Sequence, residues 1–469
     1  MAENTREIVL DILLTLEKED AFSSQLIRAV LDKYDYLEGR DKGFIKRLAE
    51  GTIERQTELD YYLNGFSTVP VHKMKPLIRC LLRMSAYQII YMDSVPDSAV
   101  CNEACRMAQK RRFHNLKGFV NGVLRSLAKQ KEELPLPDEK DTAEYYSVKY
   151  SMPKWLVELW MDEYGGSITA ALLEGLLRIH PVSLRFSTQV TKEERDKLTA
   201  RIEKTGILVR QGAYLPYVYT AENAEVIGTL PGFDKGAFTV QDVSSALAVE
   251  AAGIGPGDFV MDICAAPGGK CILAAEKAGK VLARDVSENK ISLIRENLRR
   301  MRRNNVVTQI FDAGITDEGY LEKADVVLMD VPCSGLGVLG KKRDIKYHVT
   351  KESISEITKL QKKIVEKSWQ YVKPGGILLY STCTIHRAEN EDMVQWILDN
   401  FPFDPVPLEE MLPDRLVAEK RLLAGERAAA GGKGILSPEA DAACIQMLPG
   451  YMESDGFFFA KLRRRQKGV

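Results

Sequence analysis

Short apolar runs alternate with helical stretches through the second half of this chain of 469 residues. Six such runs are strand candidates, at residues 259–263, 281–285, 306–310, 326–330, 377–380 and 457–460. Helical stretches, including 287–303 and 353–371, fall between them. Continuous apolar strands separated by helices predict a parallel, doubly wound sheet that is covered on both faces. We therefore expect an α/β domain over residues 237–469.

The first part of the chain has helical periodicity and few strand signals. Asn4 followed by Glu7 predicts a helix start of the capping-box type, and apolar residues then recur at helical spacing near 9–16, 77–89 and 119–127. These patterns predict an all-α domain over residues 1–130. Residues 131–144 are charged and contain two prolines, which indicates a linker. Residues 145–236 mix helices with a short strand at 182–186, which favours a small α+β middle domain. An Ala/Gly-rich stretch at 424–434, within 408–440, predicts a mobile insertion.

Charge is distributed unevenly along the chain, although the formal net charge is only −1. Residues 71–130 hold eleven Lys and Arg against three acidic residues. A local basic surface of this kind is the electrostatic footprint expected for nucleic acid. A solvated helical face is the simpler explanation of a charge run taken by itself.

The cysteine pattern excludes two classes of site. The eight cysteines include no C-x-x-C pair and do not cluster with the five histidines, so no metal site is expected. The cysteines are scattered along a long chain, which argues against a disulfide framework and favours a reducing cytoplasm. The N-terminus lacks a signal-peptide pattern, and no window of about 18 continuous apolar residues predicts a membrane span.

A glycine-containing loop after the first strand candidate of the α/β domain is the predicted cofactor site. A nucleoside-triphosphate loop would need Gly at 264 and Ser or Thr at 271, and the dinucleotide pattern G-x-G-x-x-G is absent, so S-adenosylmethionine is the ligand that remains. Asp285 ends the next strand, where a carboxylate accepts ribose hydroxyls, and Asp312 follows the third strand, near the place of an adenine amine. A tight strand-to-helix connection would by itself also explain the two glycines. The loop consists of Cys264, Ala265, Ala266, Pro267, Gly268, Gly269 and Lys270.

Two later strand candidates each lead to a cysteine, Cys333 after Asp330 and Cys383 after the run 377–380. The carboxyl ends of strands are where ligands and chemistry collect in an open α/β sheet. Cytosine C5 becomes nucleophilic when a thiolate adds to C6, and methylation then needs an acid at N3 and a base for the C5 proton. Cys383, Asp330 and Cys333 supply those chemical types. The cationic segment 341–346 is a candidate source of positive field for a thiolate. Five further cysteines are expected to be inert buried thiols: Cys80, Cys101, Cys105, Cys271 and Cys444.

The motifs CAAPGGK (264–270), DVPCSG (330–335), KPGGILLYSTCT (373–384) and ENE (389–391) together resemble those of the RNA cytosine-C5 methyltransferases, the NOL1/NOP2/Sun group. The resemblance implies a Rossmann-like, S-adenosylmethionine-dependent domain in which Cys383 attacks C6 and Cys333 acts in elimination. Asp330 then belongs to both the catalytic and the cofactor-binding set. DNA cytosine methyltransferases attack from the Pro-Cys cysteine instead, so Ser381-Thr382-Cys383 favours RNA.

The helical N-terminal region carries motifs of its own, VPDSAV (95–100) and FVNGVLR (119–125), and looks like the NusB RNA-binding fold. A NusB-like domain followed by this catalytic domain is similar to the bacterial 16S rRNA cytosine-C5 methyltransferases. The resemblance implies 16S rRNA, free or in an early assembly particle, as the partner of a cytoplasmic monomer with no membrane association. A tRNA cytosine-C5 methyltransferase and a non-catalytic RNA-binding assembly factor remain open alternatives.

Overall fold

The structure, a computed structural model, describes residues 4–19, 22–178, 181–222, 227–430 and 436–466. The chain divides into two compact units. The first comprises Met1–Asp162 together with Lys341–His348, and the second comprises Glu163–Gly340 together with Val349–Val469. The segment Lys341–His348 lies in sequence between two elements of the second unit but is built into the first.

Helices dominate the first part of the described chain, and strands and helices alternate after it. The helices are α1 (Thr5–Lys18), α2 (Ser23–Lys33), α3 (Gly39–Glu54), α4 (Gln56–Phe66), α5 (Pro76–Tyr91), α6 (Asp97–Lys110), α7 (Lys117–Gln130), α8 (Thr142–Lys149), α9 (Lys154–Tyr164), α10 (Gly166–Leu177), α11 (Lys192–Glu203), α12 (Val243–Ala252), α13 (Gly269–Ala275), α14 (Glu288–Arg300), α15 (Ile345–His348), α16 (Lys351–Ser368), α17 (Glu391–Asn400), α18 (Asp414–Ala429) and α19 (Pro438–Ala442). The strands are β1 (Val182–Phe186), β2 (Leu208–Gln211), β3 (Val218–Glu222), β4 (Phe238–Val240), β5 (Phe259–Asp262), β6 (Lys280–Asp285), β7 (Val306–Ile310), β8 (Ala324–Asp330), β9 (Val372–Thr382), β10 (Phe403–Pro405), β11 (Cys444–Met447) and β12 (Phe457–Arg464).

The first unit is helical, as the sequence predicts, and α5 is its central element. Ile78, Leu81, Leu82 and Ile89 of α5 are buried, and the helix packs against α1, α3, α4, α6 and α7. A helix that is apolar on most of its circumference must be covered on most sides, which explains this position. At the start of α1 the Asn4 side chain accepts a hydrogen bond from the backbone N–H of Arg6, so Asn4 is the N-cap that its sequence position predicts.

The basic stretch 71–130 presents less free charge than its sequence suggests. Arg79 and Arg83 both pair with Glu17, at 2.7 and 3.2 Å. Lys110 pairs with Glu7 at 2.7 Å, and Arg111 similarly pairs with an aspartate of α1. The partner acids lie on α1, outside the stretch in which the charges are counted. Counting one segment therefore overstates the positive surface of α5–α7, and the nucleic-acid footprint at this place stays a prediction.

After α10, the second unit forms a small antiparallel sheet in the order β2-β3-β1-β4. Strand β1 matches the predicted strand at 182–186, and its Phe186 packs against Tyr219 and Phe238 with ring centroids 5.1 and 5.3 Å apart. Strand β4 then leads directly into α12 and the larger sheet, which places the end of β4 beside the predicted cofactor loop.

The larger sheet has the strand order β10-β12-β9-β8-β5-β6-β7, with β11 paired to β12. Strands β5 to β9 are parallel, and helices separate them in sequence, which confirms the doubly wound α/β fold. All six predicted strands are present. The last of them, β12, runs antiparallel to β9 and carries β10 and β11 as further antiparallel partners, so the sheet is mixed rather than wholly parallel.

The stretch 424–434, predicted as a mobile insertion, is helical up to Ala429 as the end of α18. Residues 431–435 of that prediction lie outside the described residues. Among the helices that the structure describes, none combines the length and apolar character that crossing a membrane requires.

Candidate active site

Strands β8 and β9 bring the two predicted catalytic cysteines together. Asp330 and Ser381 are register partners at the carboxyl ends of these parallel strands, and the N–H of Val331 donates to the carbonyl of Ser381 at 3.1 Å. Each cysteine follows within three residues of that pair. The Sγ atoms of Cys333 and Cys383 consequently lie 3.1 Å apart, within hydrogen-bond distance for a thiol.

The loop after Cys333 passes very close to the backbone of Cys383. The N–H of Gly337 donates to the carbonyl of Cys383 at 3.1 Å, and Gly456 donates to the carbonyl of Gly337 at 2.8 Å. A Cβ on Gly337 would lie 2.1 Å from the Gly456 carbonyl oxygen and 2.8 Å from that of Cys383. Only glycine permits this approach, which links the two cysteine loops to the segment that leads into β12.

Glu389 ties the Cys333 loop to the protein interior. Its side chain is fully buried, and its Oε2 accepts hydrogen bonds from the Ser334 N–H at 2.9 Å and from the Gln361 amide at 3.0 Å. Oε1 accepts from the Ser334 hydroxyl at 2.5 Å. Gln361 also donates to the Pro332 carbonyl at 2.9 Å. The backbone on both sides of Cys333 is thus fixed by one carboxylate and the amide beside it.

Asn390 performs the corresponding task for the Cys383 loop. Its Oδ1 accepts from the Thr382 hydroxyl at 2.6 Å, and its Nδ2 donates to the Thr384 carbonyl at 3.1 Å. The hydroxyls of Thr384 and Ser334 lie 2.8 Å apart and join the two networks. In the sequence, the run 389–391 is recognisable only as part of a motif. Neither periodicity nor spacing indicates that these residues anchor both cysteine loops.

The two sulfurs have different surroundings. The hydrogen bond with Cys383, followed by burial and the charges of Cys383 and Glu389, raises the pKa of Cys333 well above its ordinary value. The Cys333 sulfur is therefore held as a protonated thiol. Burial likewise raises the pKa of the cysteines predicted to be inert, Cys80, Cys101, Cys105, Cys271 and Cys444.

Asp330 is held between two donors next to the sulfur pair. Its Oδ2 lies 2.8 Å from Lys270 Nζ, and its Oδ1 accepts from the Ser381 hydroxyl at 2.7 Å. The Lys270 ammonium also lies 4.9 Å from the centroid of the Phe457 ring. Lys270, predicted with the cofactor loop, thus contacts the carboxylate that is predicted to be catalytic.

The predicted cofactor loop borders a pocket of about 150 Å³ at the carboxyl end of β5. Its turn is made by Gly268, whose φ of 111° favours glycine. Asp285 is buried and accepts from the N–H groups of Ala266 and Val286 at 2.9 and 2.8 Å, so this carboxylate holds the loop in place. Of the predicted cofactor residues, those lining the pocket are Cys264, Ala265, Ala266, Pro267, Gly269, Lys270 and Asp330.

Three of the predicted cofactor residues stand apart from the pocket lining: Gly268, which makes the turn of the loop, Asp285 and Asp312. Asp285 acts through the loop, as described, and Asp312 is exposed, with its Oδ1 accepting from the Gly314 N–H at 2.8 Å. The positions of Asp285 and Asp312 are compatible with contacts to the ribose and adenine of a cofactor bound along this edge of the sheet. Their assignment stays a prediction.

Asp262 lines the same pocket and was not predicted. It is 1% exposed, and neither of its carboxylate oxygens has a hydrogen-bond partner among the described residues. Burial, followed by the charge of Asp330, raises the pKa of Asp262 to about 8. An unpartnered buried carboxylate at a pocket wall fits a ligand that brings a cationic group. As the last residue of β5, before the glycine loop, Asp262 is recognisable in sequence only once the pocket is known.

An acid–histidine pair lies beside the Cys383 loop. The Nδ1 of His386 is 2.6 Å from Glu163 Oε1, and both side chains are largely buried. Burial opposes the charged imidazolium, but the hydrogen bond and charge of Glu163 outweigh it and raise the pKa of His386. The hydroxyl of Tyr164 donates to the carbonyl of Ile385. These contacts fix the chain just beyond Cys383.

Segment 341–346 is predicted from the sequence to supply positive field to a thiolate. Two of its cations, Arg343 and Lys346, instead form contacts within the first unit. Arg343 pairs with Glu50 and Glu54 at 2.8 and 3.0 Å. Lys346 donates to the carbonyls of Glu54 and Ser151 at 2.8 and 2.6 Å, and burial lowers its pKa to about 7. Their charges are used in this packing, so the prediction is wrong for these two residues.

Comparison with known families gives matches at both ends of the chain. The family model described as "16S rRNA methyltransferase RsmB/F" matches residues 253–463, and that of the NusB family matches residues 3–129. A Bacillus subtilis (strain 168) protein named "Probable ribosomal RNA small subunit methyltransferase B" is 33% identical over 476 residues, covering 98% of this chain and 99% of the relative. The resemblance inferred from the motifs is confirmed.

Solved structures are similar over the same regions. The crystal structure of PH0851 covers 100% of both chains with a TM-score of 0.76 and 24% identity, which shows a shared fold. A methyltransferase homologue from Pyrococcus horikoshii is 27% identical with a TM-score of 0.57, covering 69% of this chain and 99% of the other.

Proposed function

Since this chain belongs to the RsmB/F family of rRNA methyltransferases, we propose that it methylates C5 of one cytosine in 16S rRNA through a covalent bond between Cys383 and C6 of the base. It is an S-adenosylmethionine-dependent rRNA methyltransferase with a NusB domain. The observation that carries the proposal is the pair of sulfurs 3.1 Å apart, at the same sheet edge as Asp330 and the cofactor pocket.

Cys383 is the nucleophile of the pair. A thiol must lose its proton to attack, and the raised pKa of Cys333 keeps that sulfur protonated. Cys333 can then donate its S–H to the Cys383 sulfur and orient it. Addition of the Cys383 thiolate to C6 breaks the C5–C6 double bond, and the electron pair moves toward N3, where Asp330 delivers a proton.

The same residues complete the reaction in reverse order. Carbon C5 forms its bond to the transferred methyl group while Asp330 takes back the N3 proton. Cys333 first loses its own proton to solvent and then, as a thiolate, removes the C5 proton, so that the C5–C6 double bond re-forms and Cys383 leaves as a thiolate. Lys270, 2.8 Å from Asp330, keeps this carboxyl group oriented through both steps.

The residues around the pocket fit S-adenosylmethionine, which supplies an electrophilic methyl group on a sulfonium when bound. Asp262 would hold the ammonium of its methionine part, because this carboxylate is buried without another partner. The loop 264–270 would enclose the same end of the cofactor, with Gln241 packed against Gly269. Asp285 and Asp312 are proposed for the ribose and the adenine.

The test is methyl transfer from radiolabelled S-adenosylmethionine to protein-free 16S rRNA, with denaturing gels to detect covalent RNA–protein adducts. Cys383→Ala is expected to abolish transfer and adduct. Cys333→Ala is expected to accumulate the adduct, because elimination lacks its base. Cys101→Ala, a buried thiol of the first unit, is the matched control and should behave as wild type.

Two results would contradict the proposal. Full turnover by Cys333→Ala without an adduct would refute the assigned roles of the two sulfurs. Methylation of tRNA but not of 16S rRNA by the wild-type protein would refute the substrate, while leaving the chemistry in place.

A further inference from the structure

A basic groove of about 420 Å³ lies in the second unit and shares no lining residue with the cofactor pocket. Helix α11, the turn before β4 and the end of α14 form its walls. Its charged lining consists of Lys197, Arg201, Lys235, Arg302, Arg303 and Glu194. Five cations and one carboxylate around one groove create a strongly positive surface.

Three of these cations are available to a ligand. Arg201, Lys235 and Arg302 are exposed and have no carboxylate partner among the described residues. The single acid, Glu194, is occupied, because its Oε2 accepts from the N–H and hydroxyl of Thr191 at 2.8 and 3.0 Å in the capping box of α11. The positive charge of the groove is therefore not neutralised from within.

Buried contacts hold the groove walls in place. Arg303 is largely buried, and its Nη2 donates to the Ser187 hydroxyl at 2.8 Å and lies 3.5 Å from Glu276. Arg300 donates to the carbonyl of Phe238 at 2.8 Å and stacks 3.9 Å above the Phe233 ring. The turn before β4 is thus fixed against α14, so the groove is formed before any ligand arrives.

The groove is close to the cofactor pocket along the chain. Gly236 and Ala237 line the groove, whereas Val240 and Gln241 line the cofactor pocket. The extended strand β4 joins them, and its three residues span about 10 Å. A nucleic-acid strand that passes the cofactor pocket would need only a few nucleotides to reach the groove.

We propose that this groove binds the sugar–phosphate backbone of the substrate RNA next to the methylated cytosine, and this inference rests on the proposed function. Exposed guanidinium and ammonium groups that lack internal partners suit repeated phosphate charges. Such contacts fix the register of the RNA without selecting its sequence. The small antiparallel sheet then positions the substrate for the catalytic sheet.

The test compares RNA binding by two triple variants of the full chain. Arg201→Gln/Lys235→Gln/Arg302→Gln removes the three unpaired charges and retains most of the aliphatic stems. The control, Lys323→Gln/Lys367→Gln/Arg463→Gln, removes three exposed charges near the amino ends of β8 and β9, which β5 and β6 separate from β7 and the groove in the sheet. Filter binding of a radiolabelled, protein-free 16S rRNA transcript is measured at several salt concentrations, with circular dichroism and S-adenosylmethionine binding as checks of folding.

Each lost phosphate contact should weaken binding about 5-fold near 0.1 M salt, and three about 100-fold, with a loss of about 2 in the slope of log K against log salt. The RNA affinity of the control should stay close to that of wild type.

Unchanged affinity and slope in the groove variant, or an equal loss in the control, would overturn the proposal, as would wild-type protein that does not bind the transcript. If the triple variant fails the folding checks, the single variants decide, with about 5-fold expected for each. Wild type that binds but does not methylate would refute the proposed function, while the binding data still decide the groove.

Discussion

Glu389 holds the Cys333 loop by hydrogen bonds and also carries a negative charge near it. Substitutions at this position can therefore separate the effect of the loop's geometry from the effect of that charge. Glu389→Ala removes the acceptor of the Ser334 N–H and of one Gln361 amide hydrogen bond, both inside the protein. Glu389→Gln keeps the shape. Its amide oxygen can take the place of Oε2, and its amide nitrogen can donate to the Ser334 hydroxyl, which still reaches Thr384 at 2.8 Å.

The expected magnitudes follow from this difference. Each buried donor left without an acceptor costs about 1–3 kcal/mol, so Glu389→Ala should cost about 2–6 kcal/mol, concentrated at the Cys333 loop. If this cost is expressed as a displacement of that loop in the transition state, methyl transfer falls by about 30-fold or more, since every 1.4 kcal/mol is about tenfold in rate. Glu389→Gln loses only the charge of the acceptor, worth about 1 kcal/mol, or about 5- to 10-fold.

The assay has two readouts. Methyl transfer and adduct accumulation on 16S rRNA give the geometric effect. The pH dependence of Cys333 alkylation, followed by mass spectrometry, gives the electrostatic effect, because the charge of Glu389 is one cause of the raised pKa of Cys333. Glu389→Gln should shift that alkylation profile to lower pH, which a merely structural role would not do.

Methyl transfer by Glu389→Ala within threefold of wild type would refute the reasoning, because the carboxylate would then not position the loop. Equal loss in Glu389→Ala and Glu389→Gln would show that charge rather than hydrogen bonding fixes Cys333. An unchanged alkylation profile in Glu389→Gln would remove Glu389 from the causes of the raised pKa.

Two further predictions concern the other buried acids. Asp262→Asn should weaken S-adenosylmethionine binding about 10- to 100-fold in calorimetry, as expected for a lost charge-assisted hydrogen bond. It should leave the melting temperature of the ligand-free protein at pH 8 unchanged or higher, because a buried carboxylate without a partner is removed, and a fall in both quantities would contradict the assignment. Because the folded-state pKa of His386 is raised, its pair with Glu163 stabilises the fold fully below the unfolded value of about 6.5, and this stability is lost as pH rises through the higher folded value. Glu163→Gln should lower the pKa of His386 in an NMR titration, and an unshifted resonance would show that Glu163 does not set it.

The sequence predicted the strands that are buried on both faces, and the reason is physical. Strands in the centre of a doubly wound sheet need continuous apolar residues, so β5, β6, β8 and β9 are visible as runs. Strand β2, at the edge of the small sheet, is short and has one buried residue in four, and no apolar run marks it. The antiparallel direction of β12 leaves no trace in its composition.

For the site, the sequence located groups at strand ends but not the groups that hold them. The positions of Cys333, Cys383 and Asp330 follow from strand register, which a sequence pattern can indicate. Glu389 contacts Ser334 across 55 positions of the chain, and Asp262 is defined by the absence of a partner among the described residues. Such relations exist only in the folded chain. The same holds for charge, because the acids that neutralise the basic stretch 71–130 lie on another helix.

In the proposed mechanism, the sulfur pair also explains how Cys333, a thiol with a raised pKa, would serve as a base. The largest cause of the raised pKa of Cys333 is its hydrogen bond to Cys383, and the charge of Cys383 contributes as well. Once Cys383 is bonded to C6, its sulfur is a neutral thioether and a poor acceptor, so both contributions disappear while burial and Glu389 remain. The proton of Cys333 then becomes easier to lose to solvent at the step that needs a thiolate near C5. In the proposed mechanism, the pair itself therefore sets the order of events: Cys333 would stay protonated until Cys383 has reacted. This order would prevent two competing nucleophiles before attack and supply a base after it.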